Sequence, residues 1–463
     1  MSSDFFPNSW KLCPLEDVMD AIIDYRGKTP KKTESGVPLV TAKIVKDGYV
    51  QTPTEFIAED SYETWMVRGL PEVGDVVLTT EAPLGEAAQL TDSNVALAQR
   101  IVTLRGKKGV LSNDYLLCAM QSNYVQHQLE ARATGSTVKG IKQSELRKVI
   151  LPVPPFEEQQ RISNILKSIS DKILLNSKTN QTLEQIAQAI FKSWFVDFDP
   201  VKAKMETLAA GGSADDAELA AMRVISAKTL DQLNSLKASN PEAFNKLAQT
   251  AALFPKDLDS ETGTPAGWNS GVIADIAKLN ANSWTKKNRP EQVHYVDLSN
   301  TKNGRIETVT SYGFDEAPSR ARRILNSGDT IIGTVRPGNR AFAFIGETEK
   351  PLTGSTGFAV LSPKEEFWTS FVYLATTNDD AIDEYARLAD GGAYPAIKPE
   401  VVADTPCVLP TKDIAQKFWQ LTGAMLKKAH QARLENEELA KTRDTLLPKL
   451  LSGEINVTSE VVE

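Results

Sequence analysis

The chain repeats itself, and the repeat constrains its architecture more than any other feature. Gly74-Asp75-Val76-Val77-Leu78-Thr79-Thr80, followed by Pro83 and Gly85, returns as Gly328-Asp329-Thr330-Ile331-Ile332-Gly333-Thr334, followed by Pro337 and Gly338. Gly135-Ser136-Thr137, six residues ahead of Ile141, returns as Gly391-Gly392-Ala393, six ahead of Ile397. Leu151-Pro152 returns as Leu409-Pro410, and Trp10 after Pro-Asn-Ser returns as Trp268 after Pro-Ala-Gly. These landmarks keep one order at offsets of 253 to 258 residues, so the two halves are expected to fold alike.

Each half opens with a mixed globular region. Short runs at 73–78, 100–104 and 330–334 read as strands, punctuated by Gly-Asp, Pro-Gly and Gly-Gly pairs. A proline hinge follows, Leu151-Pro152-Val153-Pro154-Pro155 in one half and Val408-Leu409-Pro410 in the other. Each hinge opens a long helix, and Glu157 and Glu158 suit the positive end of the first helix dipole. Ile162, Leu166, Ile169, Ile173, Asn176, Asn180, Leu183, Ala187, Ile190 and Trp194 step by four and three, which is a heptad seam. The same spacing 256 residues on passes through Phe418, Thr422, Met425, Ala429, Ala432, Asn436, Leu439, Arg443, Leu446 and Leu450, a poorer seam. The pattern predicts an α+β chain with a pseudo-two-fold internal repeat. Two globular mixed α/β units, 1–155 and 265–410, are separated by two long helices, 156–198 and 411–455, packed as an antiparallel coiled coil. A connector with one or two surface helices fills 199–264, and 456–463 is a tail. Because the second hinge lacks paired prolines and glutamates, the start of its helix is less sharply marked.

The chemistry an enzyme needs does not stand out. His127, His294 and His430 have no metal-ligand spacing, and no GxxxxGK[ST] phosphate loop occurs. Val153-Pro154-Pro155-Phe156 has valine where an amino-methyltransferase motif needs a hydrogen-bonding amide or carboxylate. Cys13, Cys118 and Cys407 lie far apart, which fits buried thiols in a reducing cytoplasm. The N-terminus lacks the basic and apolar regions of a signal peptide, and no apolar stretch is long enough for a membrane span. The net charge of −8 argues against a protein that coats nucleic acid by charge alone. It leaves room for a local reader helped by a partner.

Four segments carry a family resemblance. Leu151-Pro152-Val153-Pro154-Pro155 with Glu157-Glu158-Gln159-Gln160-Arg161-Ile162 resembles the start of the first conserved helix of type I restriction-modification specificity subunits. Phe191-Lys192-Ser193-Trp194-Phe195-Val196-Asp197-Phe198-Asp199-Pro200-Val201 resembles the end of that helix. Gly263-Thr264-Pro265-Ala266-Gly267-Trp268 resembles the entry to the second target-recognition domain. Leu446-Leu447-Pro448-Lys449-Leu450-Leu451-Ser452-Gly453-Glu454-Ile455 resembles the family's C-terminal end. The resemblance implies two target-recognition domains, each reading one half of a split site in double-stranded DNA. It implies that the helices set the gap and dock two modification (methyltransferase) subunits, with restriction subunits able to join. It implies no cofactor on this chain: S-adenosylmethionine, and ATP and Mg where a restriction subunit is present, belong to partners. Two rival readings are an assembly scaffold that no longer reads DNA and a type IIG-like fusion enzyme, the latter disfavoured by the missing motifs.

Candidate DNA contacts are basic and polar side chains on turns. Arg26, Lys28, Lys31 and Lys32 form one cluster; Lys286, Lys287 and Arg289, then Arg320, Arg322 and Arg323, form its counterparts. The loops after the repeated Gly-Asp strands add Thr79 and Thr80 in one half and Arg336, Asn339 and Arg340 in the other. Thr137, Lys139 and Tyr394 complete the set. Arginine and asparagine can pair bidentately with guanine and adenine edges in the major groove.

Nearly forty helical residues at about 1.5 Å each make a rod of roughly 55–60 Å. Inserting one heptad near Asn176 and another near Ala432 lengthens each helix by about 10 Å, roughly three base pairs at about 3.4 Å each. Methylated-base sequencing should then find a longer spacer between two unchanged half-sites. An unchanged spacer in an active variant would show that the helices are not the ruler.

Overall fold

The computed structural model describes residues 6–46, 48–136 and 138–457. The chain divides into two compact units, 1–175 with 435–463, and 176–434. Each long helix therefore gives one segment to each unit. These helices are Phe156–Phe195 and Lys412–Leu451, of 40 residues each.

In unit 1 a six-stranded sheet runs in the order Met19–Asp24, Ile101–Gly106, Val76–Thr80, Leu84–Gln89, Gly48–Val50, Val45–Lys46. A four-stranded sheet orders Ala96–Leu97, Val37–Val40, Phe56–Ile57 and Lys32–Thr33. Lys11–Pro14 pairs antiparallel with Ile150–Val153, the strand that leads into the first long helix. Unit 2 repeats the plan. Asn269–Val272 pairs with Pro406–Leu409. Two four-stranded sheets centre on Phe358–Pro363 with Thr330–Gly333 and on Gln292–Val296 with Leu352–Ser355. The matched tryptophans close the same turn, Trp10 N–H donating to Pro7 at 2.9 Å and Trp268 N–H to Pro265 at 3.0 Å.

The repeated Gly-Asp has a physical reason. Gly74 and Gly328 both sit at φ +93°, a left-handed geometry that favours glycine. The following carboxylate closes the turn: Asp75 accepts from Glu72 N–H and Asp329 from Asn326 N–H, each at 2.8 Å. Both carboxylates are buried.

The seam residues face inward. Ile162, Leu166, Asn176, Ala187, Trp194, Phe418, Thr422, Ala429 and Leu450 are buried, and the remaining positions are half-buried. In unit 1, Ile162 and Leu166 share a core with Leu446 and Leu450. Further along, Lys172 pairs with Glu435 at 3.4 Å, and Asn436 donates to the Ile173 carbonyl at 3.2 Å. Advancing along one helix means retreating along the other, so the segments run antiparallel. In unit 2 the rings of Phe191, Trp194 and Phe195 gather around Phe418.

The connector is more structured than expected. It contains four helices, Asp199–Ala209, Ala214–Ser226, Leu230–Ser239 and Pro241–Leu253, where one or two surface helices were expected. Capping boxes at Ser213/Asp216 and Thr229/Gln232 start two of them, and Pro200 and Pro241 sit in the first turn of two others. Ala221, Met222, Leu233 and Ala251 form a small core. The buried Lys204 ammonium donates to Glu218 and to the Phe254 carbonyl, each at 2.8 Å.

The two turn carboxylates differ in one respect. Arg105 grips Asp75 at 2.8 and 2.7 Å. At the matching place unit 2 has Ser362, and burial pushes the Asp329 carboxyl above its usual range, against hydrogen bonds from Asn326 and Ser362. Asp75→Asn should cost unit 1 about 3–5 kcal/mol, the penalty for breaking a buried ion pair. Asp329→Asn should leave unit 2 at least as stable at neutral pH. A raised folded pKa means that stability is gained in acid and lost as pH rises through that pKa, and the Asn variant should flatten this dependence. Denaturant titrations across pH, followed by hydrogen exchange in Val76–Thr80 and Thr330–Gly333, test both outcomes.

Candidate nucleic-acid interface

Both units build the same loop-and-hairpin device beyond the Gly-Asp strand. In unit 1, Ile141 N–H donates to the Thr80 carbonyl at 3.0 Å, and Gly140 bridges both Glu81 and Thr134. In unit 2, Ile397 N–H donates to the Thr334 carbonyl at 2.9 Å, and Ala396 bridges both Val335 and Asp390. The loop residue Ala82 has φ +51° and its counterpart Arg336 φ +48°, with Arg340 at +59°. Such non-glycine geometry costs on the order of 1 kcal/mol and persists where the surroundings enforce it. The hairpins turn on Gly135 at φ +111° and Gly391 at +117°. A Cβ on Gly135 would lie 2.2 Å from the Val138 carbonyl oxygen, so this turn needs glycine.

The side chains on this common backbone differ. In unit 2, Arg336 and Asn339 are exposed on the loop, and Tyr394 projects from the hairpin at 71% exposure. The Arg336 guanidinium carbon lies 4.7 Å from the Tyr394 ring centroid, and Nη2 donates to the Ala393 carbonyl at 2.7 Å. In unit 1 the corresponding positions are Ala82 and Val138, the latter 50% exposed. Arg100 stands beside this loop, 3.7 Å from Glu81. The sequence reading missed Val138 and Arg100, although the 256-residue offset maps Val138 onto Tyr394.

Residues 7–185 match the type I restriction modification DNA specificity domain. The type I restriction enzyme HindI specificity subunit of Haemophilus influenzae is 28% identical, over 78% of this chain and 82% of its own. The MjaIX specificity subunit of Methanocaldococcus jannaschii is 24% identical, over 97% and 94%. The chain is thus similar to type I restriction enzyme specificity subunits over most of its length. A crystal structure of a type I system S subunit from M. genitalium shares the fold, with a TM-score of 0.50 at 16% identity, over 95% of this chain and 96% of that one. What these relatives share by name is a specificity role in a type I restriction enzyme. Among the described residues no group of three or more His, Cys, Asp or Glu side chains could hold a metal, and no helix is long and apolar enough to cross a membrane.

Several candidate cations of this chain are already occupied. Arg26 is half-buried, holds Asp24 at 2.7–3.1 Å and donates to the Ile141 carbonyl at 2.6 Å, which fastens the hairpin base. Lys32 pairs with Glu55 at 2.8 Å, Arg289 with Asp315 at 2.7 Å and Arg320 with Asp297 at 2.6 Å. Burial raises the Asp297 carboxyl, but hydrogen bonds from Ser299, Arg320 and Tyr295 outweigh it and leave the pKa lowered. Arg340 donates to Asn303 at 3.0 Å and Asp379 at 2.6 Å, so it anchors its loop. Arg322 lies over the Phe314 ring at 5.0 Å. Arg323 is half-buried against Ser283, and burial lowers its pKa. Lys28, Lys31, Lys139, Lys286 and Lys287 are exposed.

Two expectations fail. Thr79 is fully buried and Thr80 is 2% exposed, because Val76–Thr80 is buried along its whole length, so neither side chain faces a ligand. Thr137 lies outside the described residues. The Thr79 hydroxyl instead accepts from Glu86 N–H at 2.9 Å. Thr79→Val should therefore destabilise unit 1 by about 1–3 kcal/mol, the cost of a buried donor left unpaired. Chemical denaturation should register that loss, while the DNA sequence methylated by the assembled complex stays the same. A changed recognition sequence at unchanged stability would return Thr79 to the interface.

Proposed function

We propose that this chain is a type I specificity subunit that reads a bipartite double-stranded DNA target, one half-site per globular unit, and docks two methyltransferase subunits. Restriction subunits join the same core where the system has them. S-adenosylmethionine, and ATP with Mg for restriction, sit on those partners, and the complex works in the cytoplasm. The observation that carries this reading is the duplicated device: two loops and two hairpins held by the same backbone bonds, carrying different exposed side chains. Structural duplication supplies two readers, and side-chain divergence lets them prefer different bases. With Arg289, Arg320 and Arg340 committed to carboxylates, much of the phosphate binding falls to the methyltransferase subunits, as the net charge of −8 requires.

Replacing residues near 10–150 with those of a relative of different specificity tests the proposal. Methylated-base sequencing of the assembled complex should find one half-site changed, with the other half-site and the spacer preserved. Simultaneous change of both half-sites would overturn the two-reader model.

A further inference from the structure

On that reading of the duplicated device, we infer that Arg336, braced against the Tyr394 ring, specifies a guanine in the half-site read by unit 2.

The loop side chains of unit 2 separate by what they already hold. Arg340 is committed to Asn303 and Asp379 and acts as the loop's anchor. Arg336 is exposed and makes one side-chain hydrogen bond, from Nη2 to the Ala393 carbonyl; among the described residues its Nε and Nη1 have no acceptor. The Tyr394 ring lies against the guanidinium, and because the Ala393 carbonyl takes only one of the two Nη2 hydrogens, one two-pronged edge, Nη2 with Nε or with Nη1, stays open. That edge matches the O6 and N7 acceptors of guanine in the major groove. An ordinary phosphate contact needs only positive charge and tolerates a mobile side chain. Here the guanidinium is oriented by a ring, a carbonyl and a left-handed backbone. Arg336 N–H donates to the Pro395 carbonyl at 2.7 Å, and its own carbonyl accepts from Asn339 N–H at 2.8 Å. Orientation fixed before binding reduces the ordering cost of a directional contact. Tyr394 is then a positioning residue. Solvation does not favour its 71% exposure, whereas contact with a partner would cover the ring. Unit 1 has Ala82 and Val138 at these positions, so its half-site cannot be read in this way.

The test uses the complex assembled with its methyltransferase subunits and carrying Arg336→Ala, Arg336→Lys, Tyr394→Phe or Tyr394→Ala. Methylated-base sequencing is combined with competition binding to duplexes altered one base pair at a time. The expected wild-type half-site for unit 2 contains an obligatory G·C pair. Arg336→Ala should make that position degenerate, with discrimination falling about tenfold to a hundredfold. Lysine lacks the planar fork, so Arg336→Lys should also fail to restore it. Tyr394→Phe should keep the preference and Tyr394→Ala weaken it, with the other half-site unchanged throughout. Thermal melting checks that each variant is folded. Three results would each overturn the inference: no G·C pair in that half-site, an unchanged sequence preference in the arginine variants, or a uniform loss of binding at every sequence, which marks a phosphate contact. The two-reader proposal would survive them, because it stands or falls on the exchange of residues near 10–150.

Discussion

The last segment of the chain completes the first unit, and the rest of the architecture depends on that closure. Leu450 and Leu451, at the end of the second long helix, lie in one core with Trp10, Leu15, Val76 and Ile162. Arg161 donates to the Val457 carbonyl at 3.0 Å across 296 residues of sequence. A long helix with an apolar stripe is unstable in water until another surface covers the stripe. Here each helix segment is covered by its partner helix and by the globular elements of its own unit. In unit 2 the same arrangement relies on Phe191, Trp194, Phe195 and Phe418 packed with Phe371 and Trp268. Each such ring buries about 150–250 Å². The helices are therefore core elements of both units.

This explains why the device beyond the Gly-Asp strand can be held in a strained shape. The strand beneath it, Val76–Thr80 or Thr330–Gly333, is buried at every position and hydrogen-bonded on both edges. A rigid strand fixes the carbonyls of Thr80 and Thr334, and these fix Ile141 and Ile397. The hairpins are then pinned at the base, and left-handed residues such as Ala82 and Arg336 are enforced from both sides. Loops built on rigid elements can hold a directional contact more precisely than loops that order only on binding.

The large features were written locally and twice. Gly74 and Gly328 signal their turn because few other residues accept φ +93°, and the heptad steps declare which helix face is covered. The features that were missed depend on contacts remote in sequence. Thr79 and Thr80 read as loop candidates because a run without alternation does not say which side is covered; here both are. The commitments of Arg320 to Asp297 and of Arg340 to Asp379 span 23 and 39 residues, and no local pattern marks them. The four connector helices are a different case. Their caps, Ser213 with Asp216 and Thr229 with Gln232, were legible, and an alanine-rich composition obscured them.

The two units also show how one scaffold can carry unlike chemistry. Asp75 has a half-buried arginine and Asp329 a serine, yet both close the same turn at the same 2.8 Å. Ala82 and Arg336 share a left-handed φ within a few degrees, while one ends at a methyl group and the other at a guanidinium. Backbone hydrogen bonds hold the shape of the device, so substitutions at its exposed tips do not disturb the bonds that hold it. Stability and specificity then rest on separate atoms. A protein that must change what it recognises without losing its partners needs that separation, and the duplicated backbone with its divergent side chains supplies it.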